Sequence, residues 1–102
     1  GAPDGMTIDK DDNLWVAQWG GYGVYCYNPY TGELLKKIEV PAPNVASCAF
    51  GGEKLDTLYI TTARAGLSPE QLEKYPLSGS LFYCVPGTTG VRPNYFKNPD
   101  KQ

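Results

Sequence analysis

Apolar and polar positions alternate with a period of two along most of this chain, the mark of half-buried strands. Met6 and Ile8 alternate with Thr7 and Asp9, and Leu14 and Val16 alternate with Trp15 and Ala17. Lys10-Asp11-Asp12 between them is polar and short, so the two runs predict an antiparallel hairpin over Met6–Asp9 and Leu14–Gln18. The glycine-rich Gln18–Gly23 connects to a third strand, Val24–Tyr27. Asn28-Pro29-Tyr30-Thr31-Gly32 predicts a tight turn, because proline presets φ and glycine supplies the positive φ that ends it. A fourth strand follows over Leu34–Val40, with Leu34, Lys36, Ile38 and Val40 sharing one side. Pro41 and Pro43 stop it, since neither can donate to a ladder.

The pattern then restarts. Val45–Phe50 and Thr57–Thr62 read as strands around a Gly51-Gly52-Glu53-Lys54 loop, and Ser80–Val85 as a third. Thr7-Ile8 matches Ala49-Phe50 at an offset of 42 residues, and Trp15 matches Tyr59 at 44. Self-similarity at that period, with four short strands per unit, is the signature of propeller blades. Ser68-Pro69-Glu70-Gln71 predicts an inserted helix: serine caps it, proline opens it and glutamine reaches back to the cap. Pro76 ends it near Lys74. Only Val91–Phe96, interrupted by Pro93, remains for a fourth strand of the second unit. The expected fold is therefore all-β: about two four-stranded antiparallel blades with one short helical insertion. Residues 1–41 make a full blade, 42–96 an incomplete one, and 97–102 a disordered tail. Two blades leave open edges and an uncovered apolar face, so the chain is expected to associate with itself or with further blades rather than form a closed propeller alone.

Composition agrees. Twelve Gly, nine Pro and eight Tyr in 102 residues describe a turn-rich β protein. Nine Lys+Arg against eleven Asp+Glu give a net charge of −2 with no basic cluster, which excludes a nucleic-acid partner. No apolar run is long enough for a membrane span, and no secretory signal is read in the chain. Opening on Gly1-Ala2-Pro3 without Met, the sequence is expected to be a processed or excised piece. Cys26, Cys48 and Cys84 are widely spaced and there is no histidine, which argues against structural zinc. All three lie in apolar runs and are expected as buried reduced thiols, hence a reducing, cytosolic setting.

Candidate chemistry is sparse. Asp4 stands in a Pro-Asp-Gly loop leading into the first strand. It is placed either to bind something or merely to shape a turn, and local sequence leaves both readings open. Asp9-Lys10-Asp11-Asp12-Asn13 resembles a calcium loop but lacks the required glycine and terminal glutamate, so it is expected as a solvated hairpin turn. Gln18–Gly23 lacks phosphate-loop spacing, and nothing supports a Ser-His nucleophile. Arg64, after the second strand of the second unit, is read as a surface or interblade pair before an anion clamp. Trp15, Trp19 and Tyr59 are read as core and rim packing before a sugar platform.

The order of motifs resembles one family. Pro3-Asp4-Gly5-Met6, Asn13-Leu14-Trp15-Val16-Ala17, Trp19-Gly20-Gly21, Asn28-Pro29-x-Thr31-Gly32, Ser47-Cys48-Ala49-Phe50-Gly51-Gly52, Leu58–Leu67 and Pro76–Phe82 together are similar to the regucalcin/gluconolactonase (senescence marker protein) family. The resemblance implies a six-bladed β-propeller that binds a divalent metal (calcium, or zinc or manganese) in its channel and hydrolyses sugar lactones. It implies that this chain corresponds to the carboxy-terminal third, with Asp4 as a metal ligand and catalytic carboxylate. The family's other ligands and its substrate-binding arginine and asparagine have no counterpart here. Three readings follow: a piece of a metal-dependent lactonase, a non-catalytic calcium-binding or interaction module, or a two-blade unit that oligomerises into a ring. The partners expected are a sugar lactone and the remaining blades or further copies, with no nucleic acid and no membrane.

Overall fold

The computed structural model describes residues 1–91. Seven strands and one helix follow in order: β1 (Ala2–Ile8), β2 (Leu14–Trp19), β3 (Gly23–Tyr27), β4 (Leu34–Glu39), β5 (Asn44–Gly51), β6 (Thr57–Ala63), α1 (Pro69–Lys74) and β7 (Leu81–Cys84). Strands β1 to β4 form an antiparallel meander, each pairing with the next. Strands β5 to β7 form a second one. Between the named strands a single pairing, Trp19 with Asn44, joins the two, and an isolated bridge between Asp9 and Gly90 ties the β1–β2 turn to the segment after β7. These are two blades of a β-propeller. The expected fourth strand over Val91–Phe96 and the tail at 97–102 lie outside the described residues, apart from Val91, which is not in a strand.

The core sits between the blades. Along β2 and β3 the period of two puts Trp15, Ala17, Val24 and Cys26 on one face; along β5 and β6 the same alternation, reset by a bulge between Val45 and Ser47, puts Val45, Cys48, Leu58 and Ile60 on the facing one. Trp15 meets Phe50 edge-on at 5.6 Å between ring centroids, and the Cys48 thiol donates to the Trp15 carbonyl at 3.3 Å. The repeat offset explains what is left uncovered. Met6, Ile8 and Leu14 occupy in the first blade the places of Cys48, Phe50 and Leu58 in the second. The second set packs against the first blade, whereas Met6 is 55% and Ile8 39% exposed, with no described blade packed on them. On the opposite side Tyr59, Leu81 and Tyr83 are exposed where a following blade would lie.

Local chemistry sets the element ends. The helix has the anticipated cap: Gln71 N donates to the Ser68 hydroxyl, Ser68 N donates to the Gln71 side chain, and Pro69 opens the first turn. Three expectations are corrected. Strand β1 starts at Ala2, so Asp4 lies inside a strand and not in a loop before it. In β4 a bulge at Leu35 shifts the register between Lys36 and Leu34, so Leu34 does not share the side of Lys36 and Ile38. The acidic turn is only partly solvated: Asp11 and Asp12 are exposed, but Asp9 is 2% exposed. Its carboxylate accepts from the Asp11 and Asn13 backbone N–H groups and from the Trp15 indole at 2.9 Å. These donors offset the desolvation of a buried carboxylate and fix the hairpin.

All three cysteines are free thiols, Cys26 and Cys48 buried and Cys84 half-buried. Loss of solvent, reinforced at Cys26 by the Asp9 charge, pushes the Cys26 and Cys48 thiols up to about 11 from 9.0. The folded state thus keeps protons that the unfolded chain releases. This stabilisation is complete below pH 9 and is lost as pH rises from 9.0 toward about 11. Thermal midpoints should fall through that window, and a flat profile across it would contradict the burial of these thiols.

Candidate functional site

Asp4 owes its position to an irregularity. Pro3 pairs with Gln18 and Met6 with Val16, so β1 advances three residues while β2 advances two. The extra residue makes Asp4-Gly5 a β-bulge, a device that re-aims side chains out of the regular alternation. Strand β5 bulges at the equivalent height, between Val45 and Ser47. These are the first strands of the two blades, and they meet here: a Cβ on Gly5 would fall 2.7 Å from the Ser47 Oγ and 2.9 Å from the Ala46 carbonyl oxygen. Only glycine permits that approach. Gly5→Ala is expected to push β1 off β5 and destabilise the fold by about 1–3 kcal/mol. Denaturant titration checks this, and an unchanged midpoint would show that the strands are not in contact.

Asp4 itself is exposed, and among the described residues its carboxylate accepts no hydrogen bond and meets no cation. An anionic oxygen pair held on rigid backbone and left without a partner is suited to a cation or a polar ligand. The repeat offset of 42 places Ala46 in the second blade where Asp4 stands in the first, so only one of the two bulges offers a carboxylate. Among the described residues no three His, Cys, Asp or Glu side chains gather to hold a metal. Calcium takes six to eight oxygen ligands. The described residues do not fit a metal by themselves, and Asp4 can supply only one arm of such a site.

The other candidates fall elsewhere. Trp15 is buried in the interblade core, and Tyr59 lies on the exposed face of the second blade. Arg64 follows β6 with its aliphatic stem against Gly79, and it forms no ion pair among the described residues. Sequence reasoning missed the Gly5–Ser47 contact and the buried role of Asp9. The first had a signal in the glycine after Asp4. The second had one in an Asp whose turn runs to Asn13 just before a tryptophan. No helix among the described residues is long and apolar enough to cross a membrane.

Comparison with known proteins sets this geometry in context. Residues 1–64 match the model of the SMP-30/Gluconolactonase/LRE-like region. A putative sugar lactone lactonase, YvrE, of Bacillus subtilis (strain 168) is 44% identical over 93 residues, covering 91% of this chain and 32% of that protein. Regucalcin of Danio rerio is 42% identical over 94 residues, with 91% and 32% covered. Among solved structures, a calcium-binding protein, regucalcin, from Agrobacterium tumefaciens superposes with a TM-score of 0.81 at 28% identity, covering 90% of this chain and 30% of that one. A luciferin-regenerating enzyme gives 0.77 at 38% identity, with 89% and 30% covered. The chain thus spans about a third of the length of these relatives. It belongs to the SMP-30/gluconolactonase/LRE-like family.

Proposed function

We propose that this chain is part of a metal-dependent sugar-lactone hydrolase, to which it contributes Asp4 as a metal-binding, catalytic carboxylate. The observation that carries the reading is the unpartnered Asp4 carboxylate on a bulge where the first strands of two blades meet. Membership of the family and likeness to a protein named as a sugar lactone lactonase support the reaction class. Likeness to a calcium-binding regucalcin supports a divalent cation, calcium or else zinc or manganese. Such an ion, held by oxygen ligands, would polarise a lactone carbonyl. Within this chain, Gly5 lets β1 close on β5, and the bulge holds Asp4 out of the ladder.

The remaining ligands belong to blades outside this chain. The bare Met6–Ile8 face and the Tyr59–Tyr83 face support blades on both sides, in a propeller of six. A second arrangement has its own support. Each chain brings two blades and spans about a third of its relatives, so three copies would also close six. Three free thiols favour a cytosolic setting.

The test compares this chain alone with a propeller carrying the missing two-thirds. Each is stripped by chelator and assayed for glucono-δ-lactone hydrolysis as calcium, zinc or manganese is returned. The propeller should regain turnover with metal, and the monomeric chain should stay inert. Sedimentation separates a monomer from a self-assembled trimer. Full hydrolysis by the chelated propeller would overturn the reading.

A further inference from the structure

Three connections and the strand ends beside them converge around an open cavity of about 470 Å³: Trp19 at the end of β2 with Tyr22 in the β2–β3 loop, Pro43 in the β4–β5 loop with Asn44 at the start of β5, and the β6–β7 insertion with Leu67 and Gln71. It lies at the end of the sheets where Asp4 stands, since Ala2 pairs with Trp19, but Asp4 does not line it. Its volume falls within the roughly 300–1,000 Å³ of small-molecule sites. No lining residue is charged, so nothing in the wall favours an ionic ligand.

Two polar groups in the wall are oriented by bonds they already make. Asn44 Nδ2 donates to the Ala65 carbonyl at 2.9 Å, which fixes the amide and leaves its Oδ1 as an acceptor. The Gln71 Oε1 accepts from Ser68 N at 3.0 Å as part of the helix cap, which leaves its Nε2 as a donor. The Trp19 indole N–H has no acceptor among the described residues. A fixed acceptor, two donors and aromatic surface together suit a ring that presents C–H faces and hydroxyl edges.

Tyr22 is an independent signal. Its φ of 59° is the left-handed conformation that a bulky side chain rarely adopts. It is held there by Tyr22 N donating to the Pro43 carbonyl and Val40 N donating to the Tyr22 carbonyl. Glycine would make the same turn without strain. The tyrosine instead sets its ring at the cavity rim, 5.4 Å from the ring of Tyr75, and strain kept against an available relief points to use.

We propose that this cavity binds a neutral, hydroxyl-rich ring of monosaccharide size, at a site separate from Asp4. The proposal stands whether or not Asp4 serves a lactonase. Titration of the 102-residue chain with methyl β-glucopyranoside, followed by NMR, tests it. The Trp19 indole resonance should shift saturably, and gluconate, an anion of similar size, should bind at least about tenfold more weakly. Tyr22→Gly should hold or raise the thermal midpoint while weakening binding about tenfold. Gln71→Ala should weaken binding too, and Asp4→Asn should leave it unchanged. No saturable shift with the glycoside, equal binding of gluconate, or loss of binding in Asp4→Asn would each overturn the proposal. So would a Tyr22→Gly variant that binds normally or loses stability, since the tyrosine would then serve the fold.

Discussion

Replacing Trp15 with alanine is expected to leave most of the chain unfolded. Trp15 is 2% exposed and bridges the two blades: its ring meets Phe50, its carbonyl accepts from Cys48, and its indole N–H donates to Asp9. Truncating a buried aromatic costs about 3–5 kcal/mol in transfer and cavity terms. Losing the indole donor also leaves a buried carboxylate oxygen short of a partner, which costs about 1–3 kcal/mol more. Small domains have about 5–15 kcal/mol in all, and one with two bare apolar faces has little beyond that. Trp15→Phe separates the two causes, because it keeps most of the ring and removes only the donor. Denaturant midpoints should order as wild type, Trp15→Phe, Trp15→Ala, with Asp9→Ala also well below wild type. Equal stability of wild type and Trp15→Phe would mean that the Asp9–Trp15 bond does not hold the hairpin.

The strands and the helix were legible because their signals are local. Alternation over Thr57–Thr62, the turn at Asn28–Gly32 and the Ser68–Gln71 cap each act within a few residues, and each stands as expected. What was not legible depends on partners far along the chain. Pro-Asp-Gly favours turns and so points to a loop at Asp4. Pairing of Ala2 and Pro3 with Trp19 and Gln18 carries the strand back through that motif, and the misfit is absorbed as a bulge. Short acidic runs face water, which points to a solvated Asp9. The Trp15 indole six residues later makes its burial tolerable. Alternation showed that Met6 and Ile8 share a face, but only the packing of the second blade on the first shows which face is covered. For the candidate site, the sequence pointed to Asp4 through a family resemblance. The Gly5–Ser47 approach that positions it joins two strands 42 residues apart, which no local pattern reveals.

The second large effect is expected at Asp4. In a propeller completed with the missing blades, Asp4→Asn keeps nearly the same shape and removes one negative charge from the proposed metal site. Metal affinity should drop by at least about tenfold, and lactone turnover by about 10²–10⁴-fold, as for loss of a catalytic carboxylate. Stability should change by less than about 0.5 kcal/mol, because the side chain is exposed and makes no hydrogen bond or ion pair among the described residues. That separation of function from folding distinguishes Asp4 from Asp9, whose loss should act on the fold first.

The most direct measurement is the rate of glucono-δ-lactone hydrolysis by the completed propeller, wild type against Asp4→Asn, at a metal concentration that saturates both. If Asp4 is a metal-binding, catalytic carboxylate, the variant should stay folded, with an unchanged thermal midpoint, and lose turnover even when metal is saturating. A folded Asp4→Asn propeller that hydrolyses the lactone at the wild-type rate would remove Asp4 from the site and contradict the account.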